Sequence, residues 1–125
     1  MLIIPGGLSW QENEHNEIAE FVQNIANRQI PVAAICGSVG FLARHGFLNN
    51  VNHTANSLEM LQKLQGYDGE SRFVKAQAVS DGGFITANES AAVEFAYEIF
   101  CQLKLGDEYE DKSRWFDFFK HGAVH

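Results

Sequence analysis

Cys36 closes the apolar run Val32-Ala33-Ala34-Ile35 and is followed at once by Gly37-Ser38-Val39-Gly40-Phe41-Leu42-Ala43, a stretch patterned as a helix. A thiol is a strong covalent nucleophile among side chains, and its thiolate is the reactive form. Where a buried strand turns sharply into a helix, the residue on the turn stands above the carboxyl end of the sheet. That is the place where α/β proteins keep their active sites. Such an elbow crowds its own backbone, so its neighbours must be small, as Ala34, Gly37 and Ser38 are. The new helix aims its free N–H groups and positive dipole end at the sulfur, which favours thiolate. The pattern predicts a presented nucleophile at Cys36, against the plainer alternative of a buried structural thiol. Cys101 takes the plainer alternative, because it lies within the helical run Ala91–Leu103 with no small-residue turn beside it.

The elements needed to hold that elbow are legible in the apolar spacing. Leu2-Ile3-Ile4 reads as a buried strand ending in the Pro5-Gly6-Gly7 turn, and Glu12 to Asn27 as a helix. The core stripe of that helix is Ile18, Ala19, Phe21, Val22, Ile25 and Ala26. Pro31 stops it, Val32–Cys36 is the next strand, and Ser38–Arg44 the elbow helix, ended near Gly46. Val51-Asn52-His53-Thr54 fits a short strand, and Ser57–Leu64 a brief helix with Ser57 as N-cap. Phe73–Val79 and Phe84–Ala87 read as strands joined by a tight turn at Asp81-Gly82-Gly83. Asn88-Glu89-Ser90 caps a long helix reaching about Leu105, and the tail around Trp115–Phe119 reads as a last aromatic helix. Strands alternating with helices give an α/β class with a doubly wound parallel sheet.

Composition narrows the partners. A chain of 125 residues with 46% hydrophobic content fits one domain with a real core. A formal net charge of -7 argues against nucleic acid, which demands clustered Lys and Arg. The acids gather at Glu12–Glu20 and Gly106–Asp111, as solvated helix faces and a loop do. No apolar window is long enough to span a membrane, and the start at Met1 lacks the features of a signal peptide. Two cysteines of such different character suggest no disulfide framework, so the expected location is the reducing cytoplasm. Neither the spacing of a zinc site nor a phosphate-binding glycine motif occurs.

Four segments in this order carry a resemblance: Leu2-Ile3-Ile4-Pro5-Gly6-Gly7, then Ala33-Ala34-Ile35-Cys36-Gly37-Ser38, then Val51-Asn52-His53-Thr54, and last Val79–Ala87 with Glu94-Phe95-Ala96. Together they resemble the ThiJ/PfpI family of the class I glutamine amidotransferase-like superfamily, over nearly all of Leu2 to about Leu105. That family includes intracellular proteases and amidases, glyoxalase- or deglycase-type enzymes and stress-response proteins. The resemblance implies a flavodoxin-like, three-layer α/β/α sheet that is incomplete at its N-terminal side. Members usually carry a further strand–helix–strand region ahead of the strand seen here at Leu2, with an acidic residue that hydrogen-bonds the cysteine. Without it, Leu2–Ile4 would be an open apolar edge, to be covered by a homo-oligomer or a partner segment.

Carried over by residue, the resemblance makes Cys36 the nucleophile and His53 the base. The backbone N–H groups of Gly7 and Gly37 would form the oxyanion hole, where glycine allows close approach to a developing alkoxide. Ser9 and Trp10 would line the pocket. Protease-like members have His directly after the nucleophile, where Gly37 stands, which lowers the peptidase reading. Amidotransferase members place Glu two residues after the catalytic His, where Ala55 stands. The third triad member is therefore unassigned, with Glu12 and Glu14 as candidates, including from a neighbouring subunit. These expectations describe a cysteine-dependent hydrolase, amidase or glyoxalase-like enzyme for a small carbonyl or amide substrate, with no metal or organic cofactor required. The alternatives are a redox-sensing or chaperone-like protein, or an inactive remnant.

Overall fold

The computed structural model describes residues 1–103. Four short strands, β1 (Leu2–Ile4), β2 (Val32–Ile35), β3 (Ala78–Asp81) and β4 (Phe84–Ala87), form one sheet in the order β1-β2-β4-β3. β1 and β4 both run parallel to β2, with Ile4 beside Ala34 and Ile35 beside Ala87. The helices are α1 (Ser9–Glu12), α2 (Asn16–Asn27), α3 (Gly37–Arg44), α4 (Leu58–Gln62) and α5 (Ala92–Leu103).

β2 is apolar at every position because it is covered on both faces, as parallel strands are. Val32 and Ala34 point into one core with Ala19, Val22, Val39, Phe41 and Leu42. Ala33 points into the other, with Ile85, Ala87, Ala91, Phe95 and Ile99. Strand alternation therefore sends successive β2 residues to opposite sides. α2 and α3 lie over one face and α5 over the other, giving the three-layer, doubly wound arrangement.

The sheet is not wholly parallel. β3 pairs antiparallel with β4 across a tight turn in which Gly82 and Gly83 both have positive φ, 58° and 85°. That turn reverses the chain, which only a hairpin strand can follow. The strand expected at Phe73–Val79 begins only at Ala78, and Phe73 makes an isolated parallel bridge to His53. This bridge is also all that remains of the strand expected at Val51–Thr54.

The helix expected over Glu12–Asn27 begins only at Asn16, after the separate short helix α1 that ends at Glu12. Asn13 Oδ1 accepts the His15 N–H at 2.9 Å, and His15 takes a left-handed conformation with φ 52°. A local side-chain bond of this kind competes with continuation of a helix. In α2, Ala19 and Val22 are buried as expected, but Ile18 and Phe21 of the expected core stripe are exposed, Phe21 to 53%. Ile3 in the edge strand β1 is likewise 50% exposed. The expected tail helix at Trp115–Phe119 lies outside the described residues.

Candidate active site

Cys36 leaves β2 with φ 60° and ψ -126°, a conformation strained for any residue with a side chain. Two anchors hold it there. The Cys36 N–H donates to Ala87 O at 3.0 Å, fixing the elbow to the end of β4. One residue into α3, the fully buried Ser38 hydroxyl accepts the Ile35 N–H at 3.1 Å. Its single proton faces the carbonyls of Ile4 and Ile35, both at 2.9 Å. Ser38 thereby ties the ends of β1 and β2 to the start of α3.

The glycines allow this closeness. A Cβ on Gly37 would sit 2.5 Å from Gly7 O, and one on Gly6 would sit 3.0 Å from Cys36 Cβ. Neither the Gly7 nor the Gly37 N–H donates to another described residue. Both are therefore unspent donors near the elbow, and of the two Gly37 lines the cavity at Cys36 while Gly7 does not.

Cys36 is half-buried and opens into a cavity of about 340 Å³. Gly37, Gly40 and Arg44 from α3, Met60 and Leu61 from α4, and Trp10 from α1 are among its walls. Trp10 is steadied by its Nε1–H, which donates to Pro5 O at 3.0 Å, and by a tilted ring contact with Phe41 at 4.8 Å. Ser9, expected beside it, is exposed and does not line the cavity.

The side chain that meets the sulfur is one that sequence reasoning missed. Asn56 Nδ2 lies 3.7 Å from Cys36 Sγ as a donor. Its Oδ1 accepts the Glu89 N–H at 2.7 Å, which fixes which end of the amide faces the thiol. Nothing in the pattern Thr54-Ala55-Asn56-Ser57 marks it. The contact depends on Thr54, whose N–H donates to Thr86 Oγ1 at 2.9 Å and whose hydroxyl donates to Ala76 O at 2.9 Å.

His53 stands elsewhere. Its ring is fully buried, with Nδ1 2.8 Å from Val51 O and Nε2 2.7 Å from the Tyr67 hydroxyl. A carbonyl can only accept, so Nδ1 carries the proton and Nε2 accepts from Tyr67. Burial holds the imidazole below its usual pKa of 6.5, more strongly than the Val51 bond raises it. Burial and the nearby Glu70 charge push the Tyr67 phenol up to about 12, so it keeps its proton for His53. Both ring nitrogens are thus committed, and His53 does not line the cavity that holds Cys36. Glu12 and Glu14 do not line it either. Among the described residues, no His, Cys, Asp and Glu cluster capable of holding a metal occurs.

The sequence pattern of the DJ-1/PfpI family matches residues 1–102 of this chain. The chain belongs to that family. It is 42% identical over 125 residues to a Bacillus subtilis protein named "Uncharacterized protease YdeA", and 38% identical over 106 residues to "Uncharacterized protease YoaZ" of the same organism. These alignments take in 100% and 84% of this chain, but 62% and 50% of those proteins. A thiJ/pfpI family protein from Bacillus anthracis superposes with a TM-score of 0.91 at 33% identity, over 98% of this chain and 57% of that one. The DJ-1 superfamily protein Atu0886 from Agrobacterium tumefaciens gives 0.85 at 36% identity, over 98% and 65%. The flavodoxin-like fold of the DJ-1/PfpI family is therefore the fold of this chain, which spans between half and two thirds of the length of these curated relatives.

Proposed function

We propose that this DJ-1/PfpI chain carries a cysteine-dependent activity on small carbonyl compounds, with Cys36 as nucleophile. The observation that carries the reading is the strained Cys36 elbow opening onto a cavity of about 340 Å³, a size suited to a small ligand. In the proposed step, Sγ bonds to the carbonyl carbon and the carbonyl π pair moves onto oxygen. The N–H groups of Gly7 and Gly37, with the Asn56 amide, would stabilise that alkoxide until it takes a proton from solvent. Amide hydrolysis also fits the family, but a leaving amine needs a proton from a positioned acid. Among the described residues the group on Sγ is the Asn56 amide, which does not titrate, so carbonyl addition is favoured over amide cleavage. Gly37, directly after the cysteine, and the small cavity favour a small substrate over a peptide.

That same lack of an acid–base partner supports a second reading, in which Cys36 is oxidised reversibly by peroxide and signals rather than turns over. Self-association belongs to the proposal too, since the β1 edge and Phe21 of α2 leave apolar surface open. Incubation with a 2-oxoaldehyde and with simple amides, for wild type and Cys36→Ser, tests the main reading. Aldehyde consumption by wild type, lost in Cys36→Ser, is the expected outcome. Turnover that survives Cys36→Ser overturns it, and no turnover with a peroxide-sensitive Cys36 selects the second reading.

A further inference from the structure

The cavity is charged against the rest of the chain. The protein has a formal net charge of -7, yet the lining contains Arg44 and Lys63 and no Asp or Glu. Among the described residues, neither cation pairs with a carboxylate. The Arg44 guanidinium donates through one Nη1 to Asn13 O at 3.1 Å, leaving most of its five N–H donors unspent.

The route from the thiol to that guanidinium is built into α3. Gly37, Gly40 and Arg44 are spaced three and four residues apart, so they share one helix face. Two glycines leave that face bare, and the cavity floor is helix backbone from the sulfur towards Arg44. A Cβ on Gly40 would find its nearest neighbour, Leu64 Cδ1, 3.9 Å away, so the backbone does not itself require glycine there. Glycine inside a helix costs about 1 kcal/mol relative to alanine. The open floor is bought at that price. Opposite it, Met60, Leu61 and Leu64 supply an apolar wall.

We infer that the substrate of this site is a carbonyl compound with a short apolar body and an anionic end group, a carboxylate or a phosphate. Its carbonyl lies at Cys36, its body along Gly40 and the Met60–Leu64 wall, and its charge between Arg44 and Lys63. The inference rests on Cys36 being the reactive thiol. Two helical turns separate the anchors, so a ligand roughly 10 Å long fits, and a one- or two-carbon aldehyde leaves the cationic end unused.

Matched alkylating probes read both points without requiring turnover. N-iodoacetyl-6-aminohexanoate carries a carboxylate at this distance, and its terminal carboxamide is the neutral counterpart. Each forms an S–C bond as iodide leaves and the thiol proton passes to solvent. The rate ratio of the two at Cys36, divided by the ratio for a small neutral thiol, is the readout. A ratio at least about fivefold in favour of the carboxylate is expected, as one or two partly exposed ion pairs provide. It should fall towards one in Lys63→Gln, in Arg44→Gln, in Gly40→Leu and at 1 M salt. The salt arm needs no variant, so misfolding of Arg44→Gln cannot mask the result. A phosphate-ended probe preferred over the carboxylate identifies the end group and supports the same site. A normalised ratio of one overturns the inference while leaving the nucleophile intact. If Cys36 reacts with neither probe, the nucleophile reading fails and the inference falls with it.

Discussion

Cys36 and His53 are the two side chains the sequence marked for covalent and proton chemistry, and the fold treats them oppositely. At the elbow, the backbone is bent into a positive φ and the sulfur faces a cavity with one long amide contact at 3.7 Å. On the loop between α3 and α4, the imidazole is sealed, and each nitrogen has a short partner at 2.8 Å or 2.7 Å. The first region spends stability on keeping bonding capacity free. The second spends the bonding capacity on stability. A reactive residue type therefore declares a role only when its hydrogen-bond partners are known.

The largest break in this contrast is expected from His53→Ala. It leaves the Tyr67 hydroxyl and the Val51 carbonyl unpaired and opens a void against Gly69, whose Cβ position lies 3.0 Å from His53 Cε1. A loss of about 3 kcal/mol in urea unfolding follows, whereas Cys36→Ala is expected to cost less than about 1 kcal/mol, because alanine keeps the Cβ and the elbow and removes only a half-buried sulfur with one long polar contact. Equal losses for the two variants would erase the distinction. Gly37→Ala comes next. The added methyl meets Gly7 O at 2.5 Å, so unfolding should show a loss of about 2 kcal/mol, with slower alkylation of Cys36 as its N–H donors shift.

The smallest effect is a pH dependence. His53 has a folded pKa below the usual 6.5 because burial disfavours its charged form. Below pH 6.5 the unfolded chain therefore binds more protons than the folded one. Stability contributed by the neutral ring is complete above that pH and is lost as pH falls through the window beneath it. The melting temperature should drop on acidification below pH 6.5, and His53→Gln should flatten that slope. An unchanged slope in His53→Gln would assign the acid sensitivity to other groups.

Much of this was legible in the sequence, because local chemistry wrote it. The small residues around Cys36, the paired glycines at 82 and 83, the Ser57 cap that accepts the Met60 N–H at 3.2 Å, and the apolar β2 each reflect a short-range constraint. The pairing direction of β3 and the break at Asn13–His15 followed from turn chemistry that periodicity does not register. Asn56 was illegible because its contact is made by strand pairing and threonine bonds far along the chain. His53 misled for the matching reason. Its spacing from Cys36 is compatible with a return to the thiol, and only the Tyr67 and Val51 bonds show where the ring is committed.

The Ser38 and Cys36 anchors carry a temporal consequence. The elbow is closed by bonds from Ser38 Oγ to Ile4 O and from Cys36 N–H to Ala87 O, and its amide is aimed by Glu89. These partners come from both ends of the sheet sequence, so the full set of bonds requires both β1 and β4 to have closed onto β2. A nascent or partly folded chain has the cysteine but not the strained turn. Maturation of the thiol is thereby a late event, and its appearance times the arrival of β4 on β2.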